Sequence, residues 1–256
     1  MAKKLWIGTS WKMNKTRAEA IAFADGLAAS SFALTDTCQP FVIPPFPYIA
    51  EVAARLSKTR VKVGAQNMHW ADAGAWTGEI SPLMIKDCGA TLVEIGHSER
   101  REFFGETDET VALKTEAALR HGLTALVCIG DTRREYDAGL TAQALERQVR
   151  ALLSRVAHKA KGNVIIAYEP VWSIGEGGTP ATPDFANAQH VKIDALVQSL
   201  TGTRLPILYG GSVNPGNCVA LSAQSHIDGL FIGRSAWDVK GYLGIMTAVT
   251  ASLPRY

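Results

Sequence analysis

Eight short runs of almost unbroken apolar character punctuate the chain, at 5–9, 41–43, 61–64, 91–95, 125–129, 164–168, 205–209 and 229–232. A strand with one wet face alternates apolar and polar side chains. A continuously apolar strand is covered on both faces, as in a parallel sheet flanked by helices. Between these runs, the segments 18–29, 49–58, 107–121, 141–160, 183–200 and 241–251 are rich in Ala, Leu, Glu, Lys and Gln and place apolar residues three and four apart. That is the period of a helix with one buried stripe. Shorter helical turns are expected after Ser81 and after Pro215. Strand and helix thus alternate about eight times, the number at which a parallel sheet closes into an α/β fold of the (β/α)8 barrel type; an open doubly wound sheet is the alternative. No linker, charge block or close repeat divides the 256 residues, so a single domain over 1–256 is expected.

Composition narrows the classes of function. With 47% apolar and 20% charged residues the chain has material for a sizeable core and is not a disordered one. The 26 Lys and Arg against 24 Asp and Glu leave a net charge of +2, no footprint for nucleic acid or an anionic membrane surface. Any anionic ligand must be held locally. No apolar run approaches the roughly 20 residues that cross a bilayer, and the N-terminus passes from Met-Ala-Lys-Lys directly into Leu5-Trp6-Ile7-Gly8 without a long apolar leader. Cys38, Cys88, Cys128 and Cys218 are widely spaced with no CxxC pair, which suits free thiols in a cytoplasmic protein; Cys128 and Cys218 read as small core residues.

In such a barrel the chemistry lies on loops after the C-terminal strand ends, and polar residues gather there. The first strand runs into Ser10-Trp11-Lys12-Met13-Asn14, where Lys12 is either a surface cation or a fixed charge for an anionic substrate. The fourth is followed by Gly96-His97-Ser98-Glu99-Arg100-Arg101. His97 is a structural histidine or a proton shuttle and hydrogen-bond donor. Glu99 is placed to pair with a cation such as Lys12, and Arg100 or Arg101 to buttress the loop. The sixth ends in Glu169-Pro170-Val171-Trp172 and leads through Ile174-Gly175 to Gly177-Gly178: a carboxylate beneath a rigid start, an apolar tip and a glycine-rich end, the makings of a lid. Under that lid a carboxylate becomes a stronger base, its pKa raised in the closed complex. The seventh and eighth end in Gly210-Gly211-Ser212 and Gly233-Arg234-Ser235, where glycines and a short helix after Gly233 suit a phosphate.

Trp11-Lys12-Met13-Asn14, Pro44-Pro45-Phe46, Gly64-Ala65-Gln66-Asn67, Thr77-Gly78-Glu79-Ile80-Ser81, the Gly96 to Arg101 run, Tyr168-Glu169-Pro170-Val171-Trp172 and Tyr209-Gly210-Gly211-Ser212-Val213 follow one another in the order of the triose-phosphate isomerase family. The chain resembles that family along nearly its whole length. The resemblance implies a TIM barrel in which Glu169 moves a proton between adjacent carbons, neutral His97 acts as electrophile, Lys12 supports the enediolate and Glu99 supports the site. It also implies that backbone groups around Gly175, Ser212 and Gly233 hold the phosphate of a small sugar, that no metal or organic cofactor is needed, and that the protein is a homodimer whose Thr77 loop reaches its partner near Lys12 and Glu99. Met68, His69, Trp70 and Trp76 agree with such a contact, though Trp70 and Trp76 can equally cap their own barrel.

Three departures bear on the substrate. Ser10 stands where the family has Asn, opening room beside the reacting carbons for a larger substrate. Arg234 follows Gly233 where the family has a second glycine, adding a cation at the phosphate end, and the lid carries an extra residue around 177–180. With Gln66-Asn67-Met68-His69-Trp70 and Phe231-Ile232-Gly233-Arg234-Ser235-Ala236-Trp237, these features resemble the erythritol-pathway branch of the family, the L-erythrulose-1-phosphate isomerases. The expected reaction is then isomerisation of L-erythrulose 1-phosphate to D-erythrulose 4-phosphate. Isomerisation of the triose phosphates, a Schiff-base aldolase using Lys12, and a silent sugar-phosphate binder remain as alternatives.

Overall fold

A computed structural model describes residues 5–33, 36, 38–156, 162–175 and 177–253. The strands are β1 (Trp6–Ser10), β2 (Gln39–Ile43), β3 (Lys62–Ala65), β4 (Leu92–Ile95), β5 (Thr124–Ile129), β6 (Val164–Tyr168), β7 (Ile207–Tyr209) and β8 (Gly229–Ile232). Every neighbour is parallel, and β1 pairs with both β2 and β8, so the sheet closes. This decides against the open sheet: the fold is a single-domain (β/α)8 TIM barrel.

Around it run α1 (Arg17–Ala28), α2 (Ile49–Leu56), α3 (Pro82–Asp87), α4 (Ser98–Phe103), α5 (Asp108–Arg120), α6 (Arg133–Asp137), α7 (Thr141–Ser154), α8 (Pro183–Thr201), α9 (Cys218–Ser222) and α10 (Val239–Ala251). Their starts have local causes. Thr16 and Glu19 form a reciprocal capping box on α1, Thr182 caps α8 ahead of Pro183, and Asp238 accepts the Gly241 amide, which starts α10 two residues earlier than the apolar pattern predicts. The helix expected over 141–160 stops at Ser154 with Arg155 as its cap, and 157–160 lie outside the described residues. The two extra short helices, α4 and α6, carry too few buried residues to leave a periodic trace.

The continuous apolar strands serve two cores at once. Side chains facing outward join a large core beneath the helices, while Phe41, Ile43, Leu92, Leu126, Ile165, Leu208 and Phe231 fill the barrel interior together with Cys128. Glycine makes that filling possible at one point: a Cβ on Gly8 would stand 2.2 Å from the Phe41 ring. Cys128 and Cys218 are both buried, as expected of small core residues. The inward positions above the apolar layer, Ser10 two residues after Gly8 and Glu94 two after Leu92, bring polar atoms to the floor of the C-terminal mouth.

Candidate active site

At that mouth lies a cavity of about 290 Å³ whose walls include Ser10, Lys12, His97, Glu169, Gly175 and the segments 210–213 and 231–235. All the loops singled out in the sequence therefore meet in one place, each delivered by a different strand.

Lys12 follows β1 in a left-handed conformation, φ 51°, which costs a residue with a Cβ about 1 kcal/mol. Its neighbours hold it there. Gln66 Nε2 donates to the Lys12 carbonyl at 2.9 Å, Asn14 Nδ2 donates to the Trp11 carbonyl at 2.8 Å, and the Trp11 ring is buried. The Lys12 ammonium meets Glu99 Oε1 at 2.7 Å, the pairing the sequence suggested.

His97 leaves β4 through Gly96, whose φ of 73° turns the chain sharply. It is the N-cap of α4, and its Nδ1 accepts the Glu99 amide proton at 3.1 Å. A ring nitrogen that accepts carries no proton, so the hydrogen of the neutral ring sits on Nε2. Nε2 faces the site, 3.5 Å from Glu169 Oε1. The loop is braced as expected: Arg100 Nε donates to Glu106 at 2.5 Å, while Arg101 donates to the Gly96 carbonyl at 2.8 Å and to Asp108 at 2.6 Å.

Glu169 ends β6 and is 2% exposed. Its own amide donates to the Ile129 carbonyl at 2.7 Å, and Oε2 accepts the Ser98 amide proton at 3.4 Å. Gly130 makes room, since a Cβ there would lie 1.8 Å from the Glu169 carbonyl oxygen. Beyond it, the lid is rooted on buried Asp131, which accepts from Trp172 Nε1 at 3.1 Å, Tyr168 Oη at 3.0 Å and Thr141 Oγ1 at 2.7 Å. Trp172 packs on Tyr136 with ring centroids 4.2 Å apart.

Gly175, Ser212, Gly233 and Arg234 also line the cavity. The helix expected after Gly233 is a single 3-10 turn, Arg234–Ala236, and Arg234 has no left-handed strain. Trp237 Nε1 donates to the Ser10 carbonyl at 3.0 Å, tying this loop to β1.

Glu94 was not among the residues singled out by sequence. It is 2% exposed on the inward face of β4; its Oε2 accepts the Ser10 hydroxyl at 2.8 Å and its Oε1 is 3.9 Å from His97 Nε2. Burial pushes its carboxyl up to about 7, with the charge of Glu169 adding to the rise and His97, Ser10 and Lys12 opposing it. Its signal in the sequence is one acid inside an otherwise apolar strand, Leu92-Val93-Glu94-Ile95.

A closed parallel barrel with a carboxylate, an imidazole and an ammonium around one cavity at its C-terminal mouth is an arrangement for moving protons on a small anionic substrate. The sequence model of triosephosphate isomerase matches residues 5–249, and the chain belongs to that family. Curated relatives are named L-erythrulose-1-phosphate isomerase. The one from Brucella abortus (strain 2308) is 60% identical over 244 residues, 95% of each chain. That from Rhizobium meliloti (strain 1021) is 59% identical over 97% of this chain and 98% of its own. A third, from Mesorhizobium japonicum, is 55% identical over 97% and 98%.

Proposed function

We propose that this protein is a cofactor-independent sugar-phosphate isomerase that interconverts L-erythrulose 1-phosphate and D-erythrulose 4-phosphate. The observation that carries the reading is the buried Glu169 carboxylate 3.5 Å from His97 Nε2, with His97 Nδ1 already occupied as an acceptor. The names of relatives at 55 to 60% identity support the choice of substrate.

In this reading the substrate phosphate sits against the backbone at Gly175, Ser212 and Gly233, with Arg234 beside it. Glu169 removes the proton from the carbon that bears the hydroxyl and the terminal hydroxymethyl. The electron pair of that C–H bond becomes a carbon–carbon double bond, and the carbonyl pair moves onto oxygen. His97 Nε2–H donates to the two neighbouring oxygens and passes a proton between them, while the Lys12 ammonium, held by Glu99, opposes the charge of the enediolate. Protonated Glu169 then returns its proton to the carbon next to the phosphate-bearing one, and the carbonyl is left on the former hydroxyl carbon. Ser10, smaller than the Asn of the family pattern, leaves room for the hydroxymethyl.

The enzyme works as a homodimer in the cytoplasm. Support for the dimer is an exposed apolar set, Met13 at 97%, Phe103 and Phe104 at 68% each and Trp76 at 49%, beside the residues the family places at its interface. The described cysteines are free, and no described helix is long and apolar enough to cross a membrane.

Incubation of L-erythrulose 1-phosphate with the protein in D2O tests the reading. NMR should report D-erythrulose 4-phosphate carrying deuterium at its newly protonated carbon. Unchanged substrate without exchange would contradict it.

A further inference from the structure

Proton transfer through Glu169, His97 and Lys12 gives Glu94 no task. A carboxylate in the wall of a packed barrel is costly to bury, and an apolar residue would fill the position beside Leu92 and Leu126 with no such penalty. The groups facing it are Ser10 from β1, Lys12 from the loop after it, His97 from the loop after β4, Cys128 on β5 and Glu169 at the end of β6. Among the described residues, only Ser10 makes a short hydrogen bond to it, at 2.8 Å.

The two residues divide their exposure. Ser10 forms part of the cavity wall, whereas Glu94 lies behind it. The Ser10 backbone is also pinned, because its carbonyl accepts from Trp237 Nε1 at 3.0 Å. Glu94 Oε2 takes the Ser10 proton whether or not the carboxyl is protonated on its other oxygen, and this leaves the oxygen lone pairs of Ser10 for a donor in the cavity. A substrate hydroxyl is such a donor. A three-carbon substrate lacks the terminal hydroxymethyl that would bring one here.

We propose that Ser10 and Glu94 form the subsite for the terminal hydroxymethyl of the four-carbon substrate, with Ser10 Oγ accepting its hydroxyl proton and Glu94 acting as the positioning residue that fixes the Ser10 hydroxyl. This rests on the function proposed above. A site built to pair with a substrate hydroxyl discriminates strongly against an analogue without it, because its polar group is then left unpaired.

The test is kcat/KM for L-erythrulose 1-phosphate and for dihydroxyacetone phosphate, measured on full-length wild type, Ser10→Ala, Glu94→Leu and the double variant, with folding checked by circular dichroism. The ratio of the two values should fall at least about tenfold in each single variant, chiefly through KM for the four-carbon substrate. The double variant should lose no more than the worse single one. Equal losses on both substrates, or additive losses in the double variant, would overturn the subsite. Should Glu94→Leu fail to fold, the ratio in Ser10→Ala decides alone. A wild type inactive on L-erythrulose 1-phosphate would overturn the function itself and the subsite with it; a wild type that prefers that substrate, with an unchanged ratio in the variants, would overturn the subsite only.

Discussion

Glu169 and Glu94 are both 2% exposed and both lie within 4 Å of His97 Nε2, yet their surroundings give them different work. Glu169 sits at a strand end beside the cavity, and in the proposed mechanism its reach decides catalysis. Glu169→Asp draws the carboxylate back by one methylene, so kcat should fall by about two orders of magnitude in a coupled assay, with KM changing far less. Glu94 is distinguished by its titration. Its pKa rises from 4.5 to about 7 on folding, so the native state holds the extra proton and the contribution of the group to stability is complete below pH 4.5. It is lost as the pH rises through 7, a change on the order of 3 kcal/mol. Urea unfolding should therefore show wild type losing stability between pH 4.5 and 8 relative to Glu94→Gln, which has no proton to release there. Parallel pH profiles of the two proteins would contradict this.

At the scale of elements, Asp131 ties β6 to the segment expected to form the lid, accepting from both Tyr168 and Trp172. Trp172→Phe keeps the ring against Tyr136 but removes the indole donor, leaving an Asp131 oxygen short of a partner. The variant should lose about 2 kcal/mol of stability and about tenfold in kcat, read by thermal melts and steady-state rates. Sequence shows part of this arrangement. The strands stand out because burial on both faces leaves them continuously apolar, and Lys12, His97 and Glu169 because each polar group follows such a run directly. Asp131 and Glu94 do not, since their importance depends on which strands become neighbours. A single acid in Leu92-Val93-Glu94-Ile95 acquires meaning once closure brings β1 near β4 and places Ser10 against it. Helices α4 and α6 escape for a related reason: their short, charged sequences follow from caps and loop anchors and have no buried stripe.

For the whole molecule, closure of the barrel sets residues from five separate strand ends around one cavity, and the same rim exposes Met13 one residue from Lys12. If a second copy covers that rim, sedimentation should give twice the 27.5 kDa of the chain. Met13→Arg should then shift the protein toward monomer and lower kcat by loosening the strained Lys12 turn; a wild type that sediments as monomer would contradict the dimer. In the proposed subsite the choice of substrate is also a property of the assembled mouth, as Ser10, Glu94 and the loop after β8 come from remote parts of the chain. Ser10→Asn should move preference toward the three-carbon substrate. The most direct measurement compares kcat/KM of purified wild type for L-erythrulose 1-phosphate and dihydroxyacetone phosphate under identical conditions. The account predicts the higher value for L-erythrulose 1-phosphate; a higher value for dihydroxyacetone phosphate would contradict it.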